Sequence, residues 1–493
     1  MKKMIYYIFA AIFIGACSAP LLGLLFGYKN ENVEKRALAP APVFFGEKGF
    51  NAAFPQEAED YLSDHFAFKP QLVTADAFLR GALFGESVNE KVIIGKDGWL
   101  YFAPTLPDYL AVETLSDNEI CRVARTLEIQ KEALARQGVG FIFVVAPNKA
   151  SIYPEYMPAA YRPTGYDNNY DRLYGRLEGS GLERPDLRAL LRGYALTSSS
   201  IPPIDPIYLK LDSHWNNKGA LIAYRAVADA LISMDPNLTL TDFPDIPFEK
   251  STVRNGDLSI MLYPSTELFD VQYEYVLAGA YTSARPIRSM EDILIRTSCE
   301  GGSGDILMFR DSFANAWIPF FSNAFATATY SRAIPYDYGL LTEETDAVVF
   351  EIVERNIANI LSAAPLLSSY AVEAAPDVRR DDIALDCRLE RTDDTLRLYG
   401  TAMPSDYDTD GYYEIYIRAD GANGSGTFVT FPILEKEFLD NSDDPDTLAR
   451  RANVAFSARL DLSLLDPGTY ALSVIVRGPA GSVSAPIETI AVS

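Results

Sequence analysis

Histidine is almost absent from this chain: 493 residues contain two, His65 and His214. That scarcity excludes an imidazole-based zinc cluster, and the four cysteines, Cys17, Cys121, Cys299 and Cys387, include no C-x-x-C pair to replace one. No metal site is expected. Cys17 falls in the apolar N-terminus and leaves three elsewhere, an odd number that cannot all pair, so free buried thiols are expected rather than a disulfide framework. Positive charge is also short, with 43 Lys and Arg against 67 Asp and Glu, a net charge of -24. Such a surface repels phosphates, which excludes nucleic acid as a partner. No G-x-G-x-x-G loop occurs, so no nucleotide cofactor is expected.

What is present is the composition of a folded protein, 48% hydrophobic and 12% aromatic, with length for two or three domains. The first 30 residues, "MKKMIYYIFAAIFIGACSAPLLGLLFGYKN", open with two lysines and run apolar from Met4 to Phe26. That is long enough to cross a bilayer as a helix. Lys2 and Lys3 stay cytoplasmic under the positive-inside bias, which puts the bulk of the chain outside the cytoplasmic membrane, in the periplasm or at the cell surface. "IGAC" ending at Cys17 has the look of a lipoprotein cleavage box, but the apolar run continues past it, which favours a retained signal anchor.

The organisation read from the sequence is an anchor over 1–28, a polar, proline-bearing linker over 29–55, an α/β domain over 56–370 and a β-sandwich over 376–493. In the α/β part, helical spacing fills 56–85, and "VIIGKDGWLYF" reads as two short strands around a Lys-Asp-Gly turn. A helix over 116–137, capped by Ser116 and closed by Gly138, leads into the buried strand "GFIFVVAP". A helix over 216–234 and the strands "GDILMF" (304–309) and "DAVVFEIV" (346–353) continue the alternation, which predicts a parallel sheet wrapped by helices. After about residue 375, six or seven short alternating stretches separated by Gly, Asp and Pro turns predict the sandwich. Its Tyr- and Asp-rich stretch "SDYDTDGYYEIY" (405–416) suits stacking on sugar rings and equally suits exposed strands and turns.

Ligands of open α/β sheets sit at the carboxyl ends of strands, and three blocks fall there: "APNKASIYP", "DSHWNN" and "RDSFANAW". Ser312 stands on the turn after the strand 304–309, where the next helix start offers free N–H groups to an oxyanion. Serine needs a base, and the base needs an orienting group. If "PIYLKL" and the residues after it are extended, Asp212 and His214 point the same way, which gives the hypothesis Ser312 nucleophile, His214 base, Asp212 orienter. Each block alone is also what a capped helix start looks like, with Asp212, Ser213, Asp311 or Ser312 as the cap and Trp215 in the core. His65, in a polar part of an amphipathic segment, reads as structural.

Four blocks in one order, "KVIIGKDGWLYF", "VVAPNKASIYPEYMP", "DSHWNNKGA" and "MFRDSFANAWIPFF", resemble the alginate O-acetyltransferase AlgX/AlgJ-type domain, and the DHHW proteins of bacterial envelopes are closely similar. "YLSDHFAFK" and "VRNGDLSIML" also resemble segments of that family, so the likeness covers roughly residues 31–365. It implies an SGNH-hydrolase-like domain that acetylates, or deacetylates, an exported polysaccharide, with Asp212, His214 and Ser312 as the triad. It also implies a multi-pass membrane acyltransferase as acetyl donor, because acetyl-CoA is cytoplasmic. A carbohydrate esterase and a non-catalytic glycan-binding or assembly protein are the competing readings. The chain departs from ordinary SGNH enzymes in having Arg310 before Asp-Ser, where glycine is usual, and in lacking a G-x-N-D block. Asn148 and the Ser312 amide are the candidate oxyanion donors, with Lys149 beside Asn148 either sharing in binding or shaping the turn. Arg310 is expected to hold an anionic sugar or, preferably, to pair with a carboxylate.

Overall fold

The computed structural model describes residues 2–30, 37–46, 49–197, 205–241, 243, 248–275, 281–372, 379–380, 382–392, 394–422, 424–439 and 444–492. Parts of the expected linker (31–36 and 47–48) and of the expected domain boundary (373–378 and 381) therefore lie outside the described residues.

The apolar N-terminus forms one helix, α1 (Lys2–Leu25). The segment with helical spacing is not one helix but two, α2 (Phe54–His65) and α3 (Lys69–Phe84). They are broken where Phe68 takes a left-handed φ of 62° just ahead of Pro70, a residue that belongs in a first helical turn. Strands β1 (Val92–Ile94) and β2 (Leu100–Phe102) pair antiparallel around the Lys-Asp-Gly turn. Helix α4 (Asp117–Ala135) begins at Ser116 with a reciprocal capping box to Glu119.

The central sheet contains β3 (Gly140–Ala146), β4 (Thr282–Ser283), β5 (Leu294–Ser298), β6 (Asp305–Phe309), β7 (Thr327–Ser331) and β8 (Thr345–Val353). Their spatial order is β3-β8-β6-β7-β5-β4, parallel across the first four and antiparallel at the β5 and β4 edge. The sheet is thus mixed only at one margin. Successive side chains of a strand face opposite ways, and the two buried clusters follow that rule. Ile142, Val144, Ile306, Met308 and Val349 enter one, and Phe141, Phe143, Leu307, Phe309 and Phe350 enter the other. The first face is covered by α5 (Asn217–Met234) and α7 (Ile318–Ala324), the second by α4. Between α5 and α7 lies the short α6 (Asp257–Leu262). The stretch after β8 that reads as helical is a 3-10 helix, Glu354–Leu361.

The C-terminal part has two layers, antiparallel except that the two-residue strand Arg379–Arg380 pairs parallel with the last strand. One holds β9 (Ile383–Thr392), β10 (Thr395–Pro404) and β13 (Ala455–Asp461); the other holds β11 (Glu414–Gly421), β12 (Gly424–Val429), β14 (Gly468–Gly478) and β15 (Gly481–Val492). Leu398, Ile417, Phe456 and Val474 fill the space between them. Tyr416, Val429, Phe431, Ile433 and Ile475 instead face the α/β part and join the same buried cluster as β3 and β8. There the Arg122 Nε donates to the Pro432 carbonyl at 2.8 Å. Within the Tyr-rich stretch, Tyr413 and Tyr416 are buried and Tyr407 stacks on Tyr413 at 5.4 Å, so these rings serve packing rather than an open platform.

All four cysteines are free as expected, but they are half-buried or, for Cys17, exposed rather than buried. His65 bonds the Tyr61 carbonyl at 2.9 Å and stacks on the Tyr61 ring, a structural role.

Candidate active site

The turn after β6 carries the serine. Asp311 donates its N–H to Glu351 Oε2 at 2.8 Å, while its own carboxylate accepts from Phe313 N at 2.9 Å and from Val353 N at 2.7 Å. The turn is thereby pinned to β8, the neighbouring strand. Asp311 is thus more than a helix cap: it holds Ser312 at a fixed place on the sheet's rim. The Ser312 hydroxyl is half-buried, and its N–H finds no acceptor among the described residues.

Residues 206–214 differ from the extended segment expected. They form a tight series of bends with a single bridge, Tyr208 to Trp215, closed by Leu209 N–H donating to the His214 carbonyl at 3.1 Å. The cause is local polar competition with the strand. The Asp212 carboxylate accepts from the backbone N–H of His214, two residues on, at 3.0 Å. From the far side, the buried Lys149 ammonium donates to the carbonyls of Leu209, Lys210 and Asp212. Asp212 and His214 come together through this turn and not through strand alternation.

Across 98 residues of sequence the two turns meet. His214 Nε2 lies 2.8 Å from Ser312 Oγ, and His214 Nδ1 lies 2.7 Å from Asp212 Oδ1. The structure therefore brings together all three members of the sequence hypothesis. Helix α5 begins immediately after, capped by Asn216, whose side chain accepts from Gly219 N at 3.0 Å. A side chain at Gly219 would collide with the Ile207 carbonyl, so glycine lets the helix start press against the turn.

A fourth group was not foreseen. Asp257, the first residue of α6, donates its N–H to Asp212 Oδ2 at 2.8 Å and accepts from Ser213 N at 2.7 Å and from the Ser213 hydroxyl. Its Oδ2 lies 3.7 Å from His214 Nδ1. A Cβ on Gly256 would sit 2.8 Å from Asp212 Cβ, so this approach requires glycine. The hint was present in "VRNGDLSIML", where an Asn-Gly turn precedes an acid at a helix start.

The charges are uneven. Burial disfavours the imidazolium, but the hydrogen bond and charge of Asp212, with Asp257 behind it, outweigh burial and raise the His214 pKa above 6.5. Burial likewise opposes the Asp212 carboxylate, and His214 with the N–H groups of Asp257 and His214 overcomes it, so Asp212 stays ionised to low pH. Asp257 moves the other way, raised by burial and by the charge of Asp212. Among the described residues, Asp212, His214 and Asp257 are the one cluster close enough to share a metal ion, with ligand atoms within 4.8 Å of each other. Their oxygens are already engaged by Ser213, His214 and the Asp257 amide.

The remaining sequence candidates separate. Asn148 is buried at the end of β3; its N–H donates to Glu354 Oε2 at 2.7 Å and its Oδ1 accepts from Arg355 Nη1 at 3.4 Å. Among the described residues its Nδ2 is buried without a partner. The Arg355 guanidinium also lies 5.6 Å from the Phe313 ring centroid, which ties Asn148 to the residue after the serine. Lys149 is buried: its ammonium holds the carbonyls of Leu209, Lys210 and Asp212 beside the Trp99 and Tyr101 rings, and burial pulls its pKa down to about 8. Arg310 is buried and, among the described residues, does not form the expected ion pair. It donates to the carbonyls of Met290 at 2.7 Å and Asp292 at 3.2 Å and to Asn315 Oδ1, so it fastens the loop before β5. Glu351, Glu354 and Arg355 were missed; their signal was charge at the end of an otherwise apolar strand, "VVFEIVER".

Residues 92–284 match the family described as "SGNH hydrolase-like domain, acetyltransferase AlgX". The resemblance carried by the sequence blocks is thus borne out, and the matched region contains Asp212 and His214 but ends before Ser312. The chain is similar to the probable alginate O-acetylase AlgJ of Pseudomonas aeruginosa, 28% identical over 247 residues, 50% of this chain and 56% of that one. It is also similar to the AlgJ protein of Pseudomonas syringae pv. tomato, 26% identical over 186 residues, 38% of this chain and 44% of that one. These matches span about half the length of the relatives. Among solved structures, Bacillus cereus PatB1 aligns with a TM-score of 0.41 at 16% identity, covering 53% of this chain and 95% of that one.

Proposed function

We propose that this chain is a membrane-anchored, extracytoplasmic O-acetyltransferase that modifies an exported cell-surface polysaccharide through an acyl-serine intermediate. The observation that carries the reading is the unbroken hydrogen-bonded line from Ser312 Oγ through His214 to Asp212. The AlgX-type domain over 92–284 and the apolar helix α1 support it.

His214 Nε2 takes the Ser312 proton as Oγ attacks the acetyl carbonyl, and Asp212 steadies the imidazolium that forms. The tetrahedral oxyanion is received by the unpartnered Ser312 N–H and the unpartnered Asn148 Nδ2. When the intermediate collapses, the imidazolium returns its proton to the departing group and Ser312 carries the acetyl. A glycan hydroxyl then gives its proton to His214 and attacks the ester, and the imidazolium passes that proton to the departing Ser312 oxygen, restoring both residues. Because the donor pool is cytoplasmic and the site lies outside, a multi-pass membrane acyltransferase supplies the acetyl group.

The test is a chromogenic acetyl ester offered to the purified chain with and without an oligosaccharide acceptor. Acetylated sugar formed in step with ester consumption is the expected outcome. Rapid release with no acetylated sugar would reassign the chain as an esterase. In cells, Ser312→Ala should strip acetyl groups from the surface polymer, and unchanged acetylation would remove the catalytic reading altogether.

A further inference from the structure

Helix α3 has two apolar sides. Its inward side is accounted for: Thr74 and Ala77 are buried, with Ala77 packed among Val92, Leu100, Leu258 and Leu262 of β1, β2 and α6. The opposite side carries Leu72, Leu79 and Leu83, exposed by 44%, 60% and 65%. At 100° per residue, positions 72, 75, 79 and 83 fall within an arc of about 80°, facing away from 74, 77 and 81. The charges beside this stripe, Asp76 and Arg80, neutralise one another at 3.1 Å. A helix apolar on both sides is the kind found buried or at a membrane, and nothing among the described residues covers this one.

The position of α1 says what does. Its apolar span runs from Tyr6 to Leu25, and Gly23, two residues before that end, sits so close to Ala67 that a Cβ there would meet the Ala67 Cβ at 2.6 Å. Tyr28 packs on the Phe68 ring at 4.3 Å, and Asn30 Nδ2 donates to the Phe66 carbonyl at 2.7 Å. Two residues of helix are about 3 Å. The elbow between α2 and α3 therefore touches the anchor at the level where the hydrocarbon ends, and α3 departs from that level with its outer stripe bare.

We infer that α3 lies along the outer face of the bilayer, with Leu72, Leu79 and Leu83 in the interfacial layer, so that the domain is seated on the membrane and not merely tethered to it. This rests on reading α1 as a membrane anchor. It also places the site: α3 packs on α6, whose first residue donates its N–H to Asp212, so the triad stands one packed layer above the lipid. An acetyl group emerging from a membrane-embedded donor would have a short path to Ser312.

The three native tryptophans, Trp99, Trp215 and Trp317, are all buried, so an added surface tryptophan reports on its own surroundings. The full-length chain is reconstituted in phospholipid vesicles as Leu79→Trp, Leu83→Trp, Phe13→Trp within α1, and Leu464→Trp at an exposed position of the sandwich. Lipids brominated near the headgroup end of the acyl chain should quench and blue-shift the tryptophans at 79 and 83, and leave that at 464 unchanged. Emission at 79 and 83 that matches position 464 overturns the inference, as does a blue shift without quenching, which would mean a protein neighbour. If in that case position 13 is quenched by lipids brominated toward the chain end, the anchor stands and only the seating of α3 fails; if it is not, the anchor reading fails as well.

Discussion

The ring of Phe313, the residue after Ser312, lies against the imidazole of His214 with centroids 4.8 Å apart, and the Trp215 Nε1 donates to the Phe313 carbonyl at 3.0 Å. Each member of the Ser-His contact is thus fixed by the residue following its partner. The tryptophan of "DSHW" is core, as one reading of that block had it, and at the same time it is the stitch between the two turns. Trp215→Phe keeps an aromatic ring but removes this buried hydrogen bond, a loss of about 0.5–1.5 kcal/mol. Thermal unfolding should register that loss, and kcat should fall more than KM rises.

Ser312→Ala should abolish the acetyl-enzyme seen by mass spectrometry and lower acetyl transfer about 10⁴-fold or more, with the unfolding temperature little changed. Trapping of acetyl at the same level on the Ala variant would place the nucleophile elsewhere.

Asn148→Ala removes an unpartnered amide donor and should lower kcat by about 10²–10³-fold with KM nearly constant. Arg355 donates only, so it forces Asn148 Oδ1 toward itself and leaves Nδ2 as the free end. Arg355→Ala should therefore produce a milder form of the same kcat defect, read on the same ester.

The pH dependence follows from His214. Its pKa is raised, and the base must be neutral to act, so activity should be lost as pH falls through an apparent pKa above 6.5. Asp257 adds to that rise, so Asp257→Asn should move the acidic limb to lower pH. A limb that stays in place would mean that Asp257 acts only through Ser213.

Lys149→Met should leave the carbonyls of Leu209 and Asp212 without a donor, while that of Lys210 keeps the Leu100 N–H, and destabilise the fold by roughly 1–3 kcal/mol for each that water cannot reach. Chemical denaturation measures this. Because the same carbonyls position Asp212, the acidic limb of the rate profile should also shift, which a purely structural lysine would not cause.

The blocks made Asp212, His214 and Ser312 legible before any coordinates: Ser312 follows a sheet strand, where α/β folds expose side chains, and Asp212 stands two residues before a scarce histidine. The route by which they meet was not legible. An Asx turn and a buried lysine shape residues 209–214; the turn is local, but the lysine that holds it reaches Leu209 from 60 positions away. Asp257 was hidden for the same reason, lying 45 residues from the aspartate it supports. Arg310 illustrates the opposite error. An arginine before Asp-Ser invites an ionic partner, yet its guanidinium donates to backbone carbonyls of the loop ahead of β5.

Strands β11, β12 and β14 contribute Tyr416, Val429 and Ile475 to the oily layer behind the catalytic sheet. Excising the last 110 or so residues would strip the back wall from β3 and β8 and leave it wet. Both halves should therefore melt in a single calorimetric transition. A lesion near the carboxyl terminus, remote from any chemistry, would then be felt at Ser312 as fewer folded molecules rather than slower ones.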